Sequence, residues 1–194
     1  PAAMRIFSIS DLHVDFAANW HWVEALSLVE YRCDVLLVAG DIAHELGRVV
    51  LALDELRKRF ARVFFVPGNH ELWVVGEQGD SIEKFERLLA LCGECGVETR
   101  PSAVGGASVV PLFSWYSADF DSEGQGDSAA LAAWGDFRFC RWPDAIESPD
   151  HYFAERNEVP VQVREQTISF SHFLPRRELL PSIDHLRFKG LPRV

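Results

Sequence analysis

Hydrophobic residues along this 194-residue chain recur in two rhythms, and the rhythms alternate. Asp34 to Ala39 (DVLLVA) and Arg62 to Val66 (RVFFV) are short, almost wholly apolar runs, the mark of strands covered on both faces. Arg5 to Ser10 (RIFSIS) is a β-rich run that ends at an Asp and predicts a strand entering a loop. Between these runs the spacing lengthens. Trp20 to Glu30 predicts a helix. From Arg48 to Phe60, the residues Val49, Leu53, Leu56 and Phe60 fall at intervals of four, three and four, one stripe of a helix. Asp80 opens another helix, with Glu83 placed for a capping box and an apolar stripe of Ile82, Phe85, Leu88, Leu89 and Cys92. Two β-like runs follow, Gly96 to Thr99 and Ala107 to Phe113. This alternation predicts an α/β layered fold with parallel pairing.

The pattern then changes. Ser117 to Asp150 holds Asp119, Asp121, Glu123 and an aromatic-rich stretch, Trp134 to Trp142. It reads as a long loop insertion over one rim, with modest secondary structure. Anchoring of that loop is the first reading of its aromatics, and a substrate platform the second. Thr167 to Phe170 predicts a short strand entering Ser171–His172, and Pro175 is placed to open a helix. Neither a repeat nor a linker divides the chain, so residues 1–194 are expected to form a single domain.

Composition narrows the class. At 48% hydrophobic and 25% charged residues the chain is globular, and its net charge of −10 disfavours non-specific binding to a nucleic-acid backbone. A phosphorylated substrate stays admissible, because bound divalent cations would dominate the field inside a small site. The four cysteines, Cys33, Cys92, Cys95 and Cys140, predict reduced thiols in a cytoplasmic protein. Cys92–Gly93–Glu94–Cys95 falls on the last turn of a helix, not at a start where a reactive thiolate is favoured. No apolar run approaches the ~18 residues of a membrane helix, and no signal sequence is evident at the start. Beginning at Pro1 and ending at Leu191–Pro192–Arg193–Val194, the chain is expected to be a piece of a longer protein.

Chemistry concentrates at strand ends. The first strand ends at Asp11–Leu12–His13, the second at Gly40–Asp41, the third at Gly68–Asn69–His70–Glu71, and His172 ends a fourth. Asp41 follows Asp11 by 30 residues and Asn69 follows Asp41 by 28, each about one strand–helix unit. Parallel strands deliver such residues to one sheet edge, where ligands bind. Singly, each is compatible with a capped turn. As an ordered set, these Asp, His and Asn side chains suit Mn, Fe or Zn. Gly40 and Gly68 let the backbone turn where a Cβ would crowd the site. His21, His44, His151 and His185 lack this context and read as surface or structural.

The ordered set D-x-H, G-D, G-N-H-E and a later strand-end histidine resembles the calcineurin-like metallophosphoesterase superfamily, from Met4 to the end of the chain. The resemblance implies two β-sheets packed together and flanked by helices, an αββα sandwich, and two divalent metal ions sharing a bridging hydroxide. It implies Asp11 and His13 as ligands of one metal, Asp41 as the bridging carboxylate, and Asn69 and His172 as ligands of the other. His70 matches the family's non-ligand histidine, which faces the substrate phosphate and assists the leaving group. The implied activity is hydrolysis of a small phosphomonoester or phosphodiester. A non-catalytic binding or scaffold module on the same fold, or an inactive fragment of such an enzyme, is the alternative, and a nuclease is weakened by the acidic charge. Arg138, Arg141, Arg176 and Arg177 are candidate phosphate contacts, with solvated surface arginines the preferred reading. Two departures stand out. Ser171 precedes His172 where many members carry glycine, and the family's final G-H-x-H does not occur, Asp184–His185–Leu186 being no substitute. That motif is expected beyond Val194 of a longer parent.

Overall fold

Strands β1 (Ile6–Ile9), β2 (Val35–Ala39) and β3 (Arg62–Val66) form a parallel sheet in the order β1-β2-β3. Ile6 pairs with Val35, and Val35 in turn with Arg62. The structure, a computed structural model, describes residues 4–117, 120, 133–158 and 166–180. Leu36 and Val38 point from β2 into a cluster with Val23, Val49, Leu53 and Leu56. Val35 and Leu37 point the other way, onto Val104 and Val109 of a second sheet. Both faces of β2 are thus buried, which is why its sequence is continuously apolar.

The second sheet holds β4 (Ser102–Val104), β5 (Ala107–Pro111) and β6 (Gln166–Phe170) in that order. β4 runs antiparallel to β5, and β6 parallel. Two sheets pack face to face with helices beside them, the sandwich that the family resemblance implied. Helix α2 (Leu46–Arg59) covers the first sheet, and α3 (Ser81–Glu94) carries the expected capping box. The Asp80 side chain accepts from the N–H groups of Ile82 and Glu83, while Asp80 N–H donates to Glu83.

Three expectations are corrected and one strand is added. Helix α1 spans Ala17–Ala25 rather than Trp20 to Glu30, because the Ser27 hydroxyl accepts from Val29 and Glu30 N–H and closes a turn instead. Gly96 to Thr99 makes only a single bridge, Glu98 to Phe64, since Val97 N–H is drawn back to Cys92 C=O at the end of α3. β4 is a strand the sequence did not announce. Pro175 opens no α-helix among the described residues; Arg176 is extended and a 3-10 turn follows at Arg177–Leu179.

Within the aromatic segment, residues 133–158 contribute α4 (Gly135–Phe139) and α5 (Pro149–Glu155). Trp142 and Phe153 pack with Trp115, Phe173, Phe85 and Leu72. Asp119, Asp121, Glu123 and His185 lie outside the described residues. At the end of α3, burial pushes the Cys92 thiol up to about 12, and Cys95 at the C-cap is raised too. Neither is a thiolate at neutral pH.

Candidate metal centre

The turns after β1 and β2 are stitched together beyond the sheet. Asp11 N–H donates to Gly40 C=O at 3.0 Å, His13 N–H to Asp41 C=O at 3.0 Å, and Val14 N–H to Ile42 C=O at 2.8 Å. To make these bonds the chain enters the left-handed region at Asp11 (φ 54°), His13 (φ 42°), Gly40 (φ 77°) and Asp41 (φ 57°). Three of the four are not glycine, a conformation held only where surroundings over-determine it. At Gly40 an added Cβ would lie 2.5 Å from Gly68 N and 2.7 Å from His172 Nδ1. Gly68 has no unusual φ; its constraint is contact, since a Cβ there would meet Asp41 Oδ1 at 2.3 Å.

Glu71, beneath these turns, is fully buried. Its carboxylate accepts from the N–H groups of Asp41 (2.9 Å), Ile42 (2.6 Å), Ala43 (3.2 Å) and Gly68 (2.7 Å). One side chain thereby fixes the turns after both β2 and β3. Burial raises its pKa, as does nearby Asp41, against the lowering effect of the N–H bonds. Lys84, also buried, donates to the carbonyls of His44 and Trp73 and to Glu77, tying the next loop to α3.

All the sequence-predicted residues meet at this edge. His13 Nε2 lies 3.8 Å from Asp11 Oδ1 and 4.0 Å from Asp41 Oδ2, and His70 Nε2 lies 3.8 Å from the same Asp41 Oδ2. On the other side, His172 Nε2 is 3.6 Å from Asp41 Oδ1 and 3.1 Å from Asn69 Oδ1. Asp41 thus presents one oxygen to each of two histidine-bearing clusters. Ligand atoms of His13, Asp41 and His70 fall within 4.8 Å of one another, a group able to hold a metal ion. Geometry alone gives His70 as close an approach to Asp41 as His13. Burial pushes the Asp41 carboxyl up to about 6 despite nearby His172. His70 is pushed down to about 4 by burial and then by His13.

The donor and acceptor roles on the His172 side are constrained. His172 Nδ1 sits 2.8 Å from Ala39 C=O, which fits the tautomer that donates there and leaves the Nε2 lone pair inward. Asn69 Nδ2 donates to Asp136 Oδ1 at 2.8 Å, so the Asn69 oxygen also faces inward. Three acceptors, His172 Nε2, Asn69 Oδ1 and the Asp41 carboxylate, converge with no side-chain donor between them among the described residues. Such a set fits a cation bound by oxygen and imidazole.

Two residues at the site went unassigned from the sequence. Glu71 stood inside the G-N-H-E motif without a role. Asp136 is buried at the first turn of α4 and accepts from Asn69, from Trp73 Nε1 (2.7 Å) and from Trp134 Nε1 (3.1 Å). The Trp73 ring stacks on His70, with centroids 3.7 Å apart. The arginines behave largely as surface groups. Arg138 is exposed and lies over Phe139, Arg141 is committed to the carbonyls of Val74 and Glu77, and Arg176 pairs with Glu178. His21 and His151 are exposed, and His44 lies 3.8 Å from Asp15 on the rim.

Fold and site together define a class, and comparison with known proteins agrees. A model of the calcineurin-like phosphoesterase family matches residues 4–172, and this chain belongs to that family. Among curated proteins it is similar to the [acyl-carrier-protein] phosphodiesterase PptH of Mycobacterium tuberculosis, 37% identical over 138 residues, covering 66% of this chain. That match spans 42% of the relative, less than half its length. Among solved structures it is similar to the crystal structure of the phosphopantetheinyl hydrolase PptH from the same organism, with a TM-score of 0.73 and 30% identity. The alignment covers 96% of this chain and 73% of that one. No helix among the described residues is long and apolar enough to cross a membrane.

Proposed function

We propose that this chain carries the dinuclear metal centre of a phosphodiesterase, with Mn, Fe or Zn as the metals. The observation that carries the reading is the inward convergence of His172 Nε2, Asn69 Oδ1 and Asp41, opposite His13 and His70 across the same carboxylate. In this reading Asp11 and His13 hold one metal, Asn69 and His172 the other, and Asp41 binds both. When bound, the metals supply positive charge to the phosphoryl oxygens and lower the pKa of water for in-line attack. His70, held against Trp73, faces the substrate and donates its N–H toward the leaving oxygen.

The names borne by the Mycobacterium tuberculosis relative suggest the substrate: a phosphodiester joining a phosphopantetheinyl group to a carrier protein. A protein-bound diester replaces the small phosphorylated molecule as the first substrate to test. The described cysteines are all free thiols, consistent with a cytoplasmic setting. The test combines metal analysis with hydrolysis of a chromogenic diester and monoester, and release of the prosthetic group from phosphopantetheinylated acyl carrier protein. Metal uptake with diester turnover, both lost in Asp41→Asn, is the expected result. Equal metal content and turnover in wild type and Asp41→Asn would sink the reading.

A further inference from the structure

We propose that Asp136 is a positioning residue of this centre: it holds the Asn69 amide with its oxygen inward and, through Trp73, fixes the surface on which His70 lies. The inference rests on the metal reading above and adds a residue from outside every strand-end motif.

An asparagine amide has two ends of similar size and opposite hydrogen-bonding character. With the oxygen inward, Asn69 adds an acceptor to the cluster of His172 and Asp41. Flipped, its NH2 would face His172 Nε2, 3.1 Å from the present oxygen, and satisfy that lone pair directly. The flipped site would be internally hydrogen-bonded and would compete with a cation. The Asp136 carboxylate decides between the two states, because it can only accept.

The same oxygen, Oδ1, also accepts from Trp73 Nε1 at 2.7 Å. Trp73 is clamped between the His70 ring at 3.7 Å and Phe139 at 5.2 Å. One carboxylate oxygen therefore aligns an Asn on one side of the site and the aromatic support of a His on the other. Trp134 Nε1 engages Oδ2, and the Tyr116 phenol, its pKa raised first by burial, bonds to the same carboxylate. The helix carrying Asp136 is built for this approach. A Cβ at Gly135 would lie 2.7 Å from Trp73 Cζ2, so only glycine lets the turn come so near. Val74 N–H donates to Phe139 C=O at 2.9 Å and Ser81 N–H to Arg141 C=O at 2.8 Å, which pins the C-terminal end of α4 and the residues just after it to the segment between β3 and α3.

The experiment uses the full chain with Mn2+ as probe, comparing wild type with Asp136→Asn and Asp136→Leu. Asparagine keeps an acceptor for Asn69 and Trp73; leucine keeps bulk and removes it. Metal Kd is expected to rise about 10- to 100-fold in Asp136→Leu and only a few-fold in Asp136→Asn, each showing a cooperative melt. Gly135→Ala, which pushes Trp73 alone, is expected to lower kcat while leaving Mn2+ affinity within about twofold. If wild type binds no Mn2+, the metal reading itself fails. If wild type binds it and Asp136→Leu binds as tightly, the role of Asp136 fails while the metal reading stands. Equal damage in Asp136→Asn and Asp136→Leu also overturns the role, since charge rather than the acceptor would then matter. Should Asp136→Leu not fold, hydrogen exchange of the Asn69 side-chain NH2 in wild type decides. Protection with and without Zn2+ supports the proposal, and exchange at the rate of a free amide overturns it.

Discussion

Two buried carboxylates serve the same sheet edge, Asp41 at the end of β2 and Asp136 at the start of α4. Asp136 is surrounded by neutral donors that meet both of its oxygens. Asp41 accepts one backbone bond, from His70 N–H at 3.0 Å, and otherwise looks onto histidine nitrogens 3.6–4.0 Å away. Hydrogen bonds complete the first group and leave the second open. Burial then lifts the Asp41 pKa to about 6, the cost of enclosing a carboxylate without sufficient partners. A satisfied buried acid is architecture, whereas a dissatisfied one is an invitation to a cation.

Substitution at Asp41 tests the contrast most severely. Asp41→Asn is expected to abolish metal uptake and lower turnover by roughly 10^3-fold or more, several kcal/mol of lost transition-state stabilisation. Its metal-free melting temperature at pH 7 should be no lower than that of wild type. The sign follows from the raised pKa: the native carboxyl binds its proton more tightly than the unfolded one, so stability falls as pH rises through about 6. A large loss of metal-free stability in this variant would break the comparison.

Glu71 is expected to show the opposite profile. Removing its carboxylate strands four buried N–H groups, so Glu71→Ala should lose about 3 kcal/mol or more by urea denaturation, before any metal is added. Gly68→Ala sits between the two cases. Its Cβ would displace the Asp41 carboxylate, with an expected cost of about 1–3 kcal/mol and weakened metal binding by titration calorimetry.

The smallest effect concerns a fourth carboxylate, just before the start of β2. Asp34 accepts from Arg5 Nη2 at 2.6 Å, Arg5 Nε at 3.0 Å and Arg5 N–H at 2.9 Å, and the hydrogen-bonded Arg5 side chain holds its pKa below the usual value. The native acid is here the weaker proton binder. Its contribution is present above the unfolded pKa of about 4 and lost as pH falls through the lower folded value. The difference in melting temperature between wild type and Asp34→Asn should therefore shrink on acidification below pH 4. A constant difference would show that the ion pair contributes nothing.

The residues around these two carboxylates also differed in legibility. Asp11, His13, Asp41, Asn69, His70 and His172 each follow a strand, so periodicity and the parallel-sheet rule bring them together. Asp136 lies 67 residues from Asn69 in a stretch whose aromatics mask any period, and only contact in three dimensions pairs them. The signal available was a lone Gly–Asp amid tryptophan and phenylalanine, in a segment weighed chiefly as loop anchoring. Glu71 was visible as a motif residue, but three of the four backbone donors it gathers come from the turn after another strand. Local competition hid the rest: the Ser27 turn shortened α1, and three residues are too few for β4 to show alternation.

The left-handed backbone at Asp11, His13 and Asp41 bears on how this protein can change. A left-handed L-residue costs roughly 1–2 kcal/mol, somewhat less for Asp, and glycine would relieve much of it. Asp11→Gly or His13→Gly can thus raise the melting temperature while removing a side chain that the proposed centre needs. A screen for thermal tolerance alone would select against the site.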